Sequence, residues 1–371
     1  MSTPGHKGRA TLTLATSSLW HLPYPFNVAR LFGPRYSLRC ILFHNVADTE
    51  SSFTRGLGGT ISRKSFEGVL RFLAEHYTPV SLQQVLSSFE GQMLPPRPVL
   101  VTFDDAYVSI REVAAPLCRQ FGVPALFFIN AACLDNRQLA LDNLICYVVN
   151  VFGLDMINAA IRSVRGGGSA EVRSLKEVFA RFLPRTSLSD RATFQSVLLQ
   201  LSRIDQSSLA LEAGLYLSSQ HLREFASFNF EIGNHTYTHV ICRSLMREEF
   251  AKEIDQNRMV LEAISGRKVR SFSVPYGSAA DFSSELLVHL QQSGYEAAFL
   301  AEGQSNSLRT DCWHLNRVSV GAGSDAGVFS EIEILPRLRT FRRKLFTHSP
   351  WEPDISLLKC LHLEGEGDNV Q

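Results

Sequence analysis

The chain has 371 residues, 45% of them hydrophobic and 20% charged, with a formal net charge of +1. That length can bury a large core in one elaborated α/β domain or two modest ones. The near-neutral balance excludes the polyelectrolyte surface that drives nonspecific nucleic-acid binding. No apolar run reaches the ~18–20 residues of a membrane-spanning helix. The seven scattered cysteines hold no CxxC pair, which suits reduced thiols in a cytoplasmic protein.

Residues 1–36 carry no periodicity and read as an irregular lead-in. "RCILFHNVAD" follows, a short apolar strand over Cys40–Phe43 that ends in His44. In "SRKSFEGVLRFLAEH", Phe66, Val69, Leu70 and Leu73 recur at helical spacing, with Ser62 or Ser65 as N-cap. "PPRPVLVTFDD" is a Pro-bounded buried strand, "SIREVAAPLCRQFG" a helix ending at Gly122, and "VPALFFIN" the next buried strand. Near-continuous apolar strands separated by helices mark a parallel sheet covered on both faces. Residues 136–218 break the rhythm and read as a helical insertion around "RGGGS".

The rhythm returns with the strand "FNFEIGNH" and a single helix over "LMREEFAKEIDQNRMVLEAISG" closed by Gly266. After these come the strands "VRSFSVPYG", "YEAAFLAE" and "HLNRVSV", with the helix "SSELLVHLQQSG" between the first two. Six or seven such units suit a (β/α) barrel. It occupies 37–326, followed by a tail over 327–371 whose basic "PRLRTFRRKLF" could meet an anionic membrane face or an acidic glycan, while the helical insertion could cap the site or bind a partner in a biosynthetic complex.

In parallel α/β folds the chemistry sits at the carboxyl ends of the strands, and four strand ends here carry reactive residues. "VLVTF" ends in Asp104–Asp105, "FEIGN" in "HTYTH", "SFSV" in Pro275–Tyr276–Gly277, and "CILF" in His44. If Thr238 and His239 begin a helical turn, His235 and His239 face one point, as two nitrogen ligands of a divalent cation must. A carboxylate from another strand completes a two-His, one-carboxylate set with open positions. Of two adjacent acids, alternation sends one to the metal and leaves the other to take a proton.

"TFDDAY", "EIGNHTYTH" and "FSVPYG", in that order and spacing, resemble the polysaccharide deacetylase family, also called NodB-homology or carbohydrate esterase family 4. The resemblance implies a deformed (β/α)7 barrel binding a zinc-type divalent metal through Asp105, His235 and His239. It makes Asp104 the general base, gives the Tyr276 backbone N–H to the oxyanion, and sets Pro275 and Tyr276 at the substrate. It implies removal of N-acetyl groups from a glycan, polymer or lipid-linked precursor. The leading "CILFHNV" is similar to a permuted, exopolysaccharide-modifying branch in which His44 is the general acid.

Two departures stand out. Where the family's third motif carries an Arg that orients the base, this chain has Ser273, and Arg317 in "HLNRVSV" is the candidate substitute. The family's final His motif has no counterpart near the barrel's end, since His348 lies beyond the last strand. Trp313 in "DCWHLNRV" is a candidate sugar-stacking residue. Two alternatives to the de-N-acetylase stay open: a silent glycan-binding descendant that keeps the barrel and metal, and a hydrolase of another non-peptide amide.

Overall fold

The computed structural model describes residues 35–165, 171–228 and 230–346. The lead-in before residue 35, most of "RGGGS" and His348 lie outside them. Seven parallel strands form the centre: β1 (Arg39–Phe43), β2 (Pro98–Phe103), β3 (Ala125–Ile129), β4 (Glu231–Asn234), β5 (Ser271–Ser273), β6 (Ala297–Leu300) and β7 (Leu315–Ser319). Each pairs with the next, and β1 pairs with both β7 and β2, so the sheet closes into a barrel. A two-residue strand, Thr78–Pro79, is added beside the start of β2.

The strands read as unbroken apolar runs because both faces are buried, each by a different layer. Cys40, Leu100, Leu126, Phe128, Ala297, Phe299 and Leu315 fill the barrel interior. Their neighbours Ile41, Val101, Phe103, Phe127, Ile129, Ala298 and Val318 pack outward under the helices. The two-residue alternation of a strand sorts them. Followed toward the carboxyl ends, the inward row turns polar, giving His44 after Leu42, Asp104 after Thr102, Ser273 after Ser271, and Arg317 after Leu315.

Helices α1 (Arg63–His76) and α3 (Ala115–Gln120) pack in the outer apolar layer, whereas Leu82, Val85 and Leu86 of α2 (Leu82–Phe89) join the residues that fill the barrel interior. In α1, Ser62 is the N-cap, its side chain accepting from the Ser65 N–H, and Phe66, Val69, Leu70 and Leu73 are all buried. The insertion supplies α4 (Leu141–Phe152), α5 (Leu154–Arg165), α6 (Leu188–Ser202) and α7 (Gln206–Ala213). Leu144, Ile145, Ile157, Phe182 and Phe194 give it a core of its own, which also takes in Tyr107 and Ile241 from the loops after β2 and β4. The insertion thus sits on the end of the barrel where the strands finish.

The last helices are α8 (Ser219–Ser227), α9 (Gln256–Ser265), α10 (Ser284–Gln292) and α11 (Leu335–Phe346). The helix expected before Gly266 is present as one continuous run from Arg247, opening as a 3-10 turn at Arg247–Glu249 and passing through a π turn at Ala251–Asp255 into α9. At the wide turn the Glu253 carbonyl accepts from the Tyr237 N–H (2.7 Å), and its carboxylate accepts from the Thr238 N–H and Oγ1 (2.9 Å each). A helix residue therefore serves the "HTYTH" loop, as π turns near functional loops commonly do. Gly266 does end α9, at φ +68°.

The packed structure continues past residue 326, where the sequence suggested a tail. Val328 and Ile332 join the outer apolar layer, and Glu333 accepts from Arg39 Nε and the Tyr77 hydroxyl, each at 2.9 Å. No helix among the described residues is long and apolar enough to cross a membrane.

Gly233 on β4 lies where a Cβ would sit 2.3 Å from the Phe128 ring and 2.9 Å from Ser271 Oγ. Overpacking of this kind costs about 1–3 kcal/mol. Gly233→Ala should therefore lower the unfolding free energy by that amount, read as a lower urea midpoint with m unchanged, and an unaltered midpoint would show the interior to be looser than described.

Candidate metal and acid–base site

Asp104 ends the inward row of β2 and is 3% exposed. Arg317, 1% exposed, donates from Nη1 to its Oδ1 (2.7 Å) and from Nη2 to its Oδ2 (2.8 Å). This is a two-pronged fork that a lysine could not reproduce. Ser273 Oγ, which accepts from Arg317 Nη2 (2.7 Å), donates to Asp104 Oδ2 (3.2 Å). The rest of the guanidinium is spent on Thr102 Oγ1 and the Leu300 carbonyl. Burial by itself would raise the Asp104 carboxyl, but the Arg317 charge, helped by His235, outweighs it and holds the group below the ordinary carboxylate range.

Asp105 leaves the strand in a left-handed conformation, φ +76°, which turns its carboxylate away from the row that Asp104 follows. Ala106, Thr236, His239 and Tyr276 also have positive φ, between +56° and +62°. Five such non-glycine residues around one point mark a place where the fold holds the backbone against its preference, at ~1–3 kcal/mol each. The "HTYTH" segment is therefore a loop, not the helical turn expected. The two imidazoles converge because Thr236 and His239 bend the chain, bringing the ring centroids to 5.0 Å.

Asp105 Oδ1 lies 3.5 Å from His235 Nε2 and 3.4 Å from His239 Nε2. His235 Nδ1 faces the Ser273 carbonyl at 2.8 Å, and His239 Nδ1 faces Asp142 Oδ2 at 2.9 Å. A carbonyl and a carboxylate only accept, so each ring donates from Nδ1, and in the neutral form each Nε2 is a bare lone pair. Asp105 Oδ1 is buried with no hydrogen-bond partner. Two lone pairs and an orphaned carboxylate oxygen face one point. The two distances to Asp105 Oδ1 match the ~3.4 Å between ligands of a tetrahedral cation bonded at about 2.0–2.1 Å, and all three atoms lie within 4.8 Å of one another. The residues present fit a divalent cation. Without one, burial disfavours a charged His239, but the carboxylates of Asp105 and Asp142 outweigh it and raise its pKa to about 9. The pocket thus draws positive charge.

His44 follows β1 at the same end, with the Gly59 backbone against its ring, where a Cβ would lie 2.9 Å from Nδ1. Burial lowers its pKa, more than the nearby Asp105 and Asp104 raise it. Pro275 is buried just past the end of β5, and the exposed Tyr276 lays its ring 5.0 Å from that of His239. Trp313 is not brought to this group. It lies four positions before Arg317, at the opposite end of β7, packed against the outer apolar layer.

Asp142 was not anticipated. It sits in the first turn of α4, and an acid there reads from sequence as a response to the helix dipole and nothing more. Its carboxylate accepts from the Tyr276 hydroxyl (2.7 and 2.9 Å) as well as from His239.

Residues 192–298 match the family model described as polysaccharide deacetylase. That window holds His235, His239, Pro275 and Tyr276 and ends well clear of Asp104 and Asp105. No curated protein matches the chain by sequence. Among solved structures, the fold is similar to the Streptococcus pyogenes deacetylase PplD in complex with acetate. The TM-score is 0.53 at 12% identity, over 81% of this chain and 100% of that one. IcaB from Ammonifex degensii gives 0.52 at 20% identity, over 80% and 97%. BC0361, a polysaccharide deacetylase from Bacillus cereus, gives 0.50 at 14% identity, over 81% and 70%. The seven-stranded closed barrel is thus a (β/α)7 barrel of NodB type.

Removing Arg317 leaves a buried carboxylate without its cation. Arg317→Met should cost about 3–5 kcal/mol of unfolding free energy at neutral pH. Because the Asp104 pKa is depressed in the folded state, that stabilisation is complete above the unfolded value of ~3.9 and is lost as pH falls through the lower, folded value. The gap between wild type and variant should therefore narrow only in acid. A gap that is small at pH 7, or the same at pH 7 and pH 2, would contradict the pairing.

Proposed function

We propose, from the polysaccharide deacetylase family match over residues 192–298 and the NodB-type barrel, that this chain is a zinc-type, metal-dependent de-N-acetylase, a hydrolase of non-peptide carbon–nitrogen bonds. Its substrate is an N-acetylated sugar, in a polysaccharide or a lipid-linked precursor, within surface or exopolysaccharide synthesis. The observation that carries the reading is the convergence of Asp105 Oδ1, His235 Nε2 and His239 Nε2 beside an aspartate kept ionised by Arg317. The six free cysteines among the described residues support a reducing, cytoplasmic setting.

Asp105, His235 and His239 hold the cation, which when bound supplies Lewis-acid polarisation of a carbonyl and a water of lowered pKa. Asp104 does the proton work. Its carboxylate takes a proton from the attacking water, and the fixed fork of Arg317 lets it do so without reorienting. The Tyr276 backbone N–H stabilises the tetrahedral oxyanion formed on the acetyl carbon. His44 gives a proton to the departing amine. The environment that lowers its pKa makes its protonated form a strong donor, as expulsion of a poor leaving group demands.

Ser273, where the family's third motif carries an Arg, does not leave Asp104 without a cation. The guanidinium arrives from β7 instead, and Ser273 Oγ is the small group that makes room for it and bonds to it. Arg317 is thus the residue that orients the base. The direct test is acetate release from N-acetylated oligosaccharides by protein reloaded with zinc. Asp104→Asn should lower kcat by about 10²–10⁴-fold in protein that still folds and keeps the bound metal, and it should also lower the unfolding midpoint, because buried Arg317 loses its carboxylate partner. His235→Ala should lose the metal on dialysis. Wild-type-like acetate release by either variant would sink the assignment.

A further inference from the structure

We propose that Asp142 is a positioning residue for the metal-dependent reaction, so that the helical insertion is a working part of the site. The inference rests on the metal reading above and adds to it a residue from outside the barrel. Asp142 is 8% exposed, and its two oxygens take three contacts, from His239 Nδ1 and twice from the Tyr276 hydroxyl. Both partners are donors. A carboxylate has lone pairs for both at once, whereas an amide would turn an NH₂ toward one of them. The contact to His239 fixes the ring with Nε2 toward Asp105. Hydrogen bonds of this kind orient metal-binding histidines and raise their basicity.

The insertion is built to deliver this group. Asn143, the next residue, donates to the Tyr107 hydroxyl (2.9 Å) and the Phe53 carbonyl (3.0 Å) and accepts from the Tyr216 hydroxyl (2.6 Å). Tyr216 also accepts from the Ala140 N–H (2.9 Å). Tyr107 lies two residues beyond Asp105, so the turn carrying Asp142 is bolted to the loop that carries the metal-binding carboxylate. The start of α4 also offers a negative side chain the favourable end of the helix dipole. The ring of Tyr276, at φ +62°, is thereby tied at its hydroxyl end as well as at its backbone.

The experiment measures cation affinity by competition with a chelator, using zinc and full-length protein, alongside the unfolding midpoint. Asp142→Asn should bind zinc about 10–100-fold more weakly than wild type, with the fold intact, and Asp142→Glu should recover part of the loss. Equal zinc affinity and equal kcat and KM in wild type and Asp142→Asn would overturn the proposal while leaving the metal site standing. Wild-type protein that takes up no zinc would overturn the functional reading and this proposal with it.

Discussion

An ionised aspartate at the inner wall of an apolar barrel has to be met by a fixed positive charge, and here Arg317 meets it. Neither partner is affordable alone. Burial would drive the carboxyl toward its neutral form, and a guanidinium shut away from water needs acceptors on every side. Together with Thr102, Ser273 and the Leu300 carbonyl they form a closed set. Arg317 stands on β7 and Asp104 follows β2, with β1 between them, so the pair spans the seam where the barrel closes. The fork is thus made across the closed seam. The barrel in turn gains from a pair that no open sheet could bury.

The same alternation that fills the interior with leucine and phenylalanine lower down sets out the chemistry above. His44, Asp104, Ser273 and Arg317 all continue the inward rows of their strands. Asp105 cannot, being the neighbour of Asp104, and it reaches the cation pocket by a left-handed turn. That turn sends the two adjacent acids to different partners. One remains on the wall with the arginine, and the other swings out to the two histidines. The strain at Asp105, His239 and Tyr276 is held by packing beneath and by Glu253 and Asp142 to the sides.

Much of this was legible in the residue string. Buried strands announce themselves as apolar runs, and a polar cluster at the end of such a run marks the active end of a parallel sheet. "TFDDAY" and "HTYTH" carry their chemistry locally, in residue type and spacing. Arg317 could only be nominated, because its partner is 213 positions away and an arginine in a short strand has no signature of its own. Asp142 was invisible for a stronger reason. Its local context, an acid at a helix start, is fully accounted for by the dipole, and only the docking of the insertion gives it a second use. The looped "HTYTH" was misread because a tertiary contact decides it: Glu253, on the π turn of the helix before Gly266, bonds to Thr238 and holds that segment as a loop.

The most direct measurement is the metal-edge X-ray absorption spectrum and anomalous density of zinc-loaded protein. The account requires one zinc bonded to a carboxylate oxygen of Asp105 and to Nε2 of His235 and His239, with Asp104 still forked onto Arg317 and unbonded to the metal. Zinc ligated by Asp104 with Arg317 released, or no zinc between these residues, would contradict it.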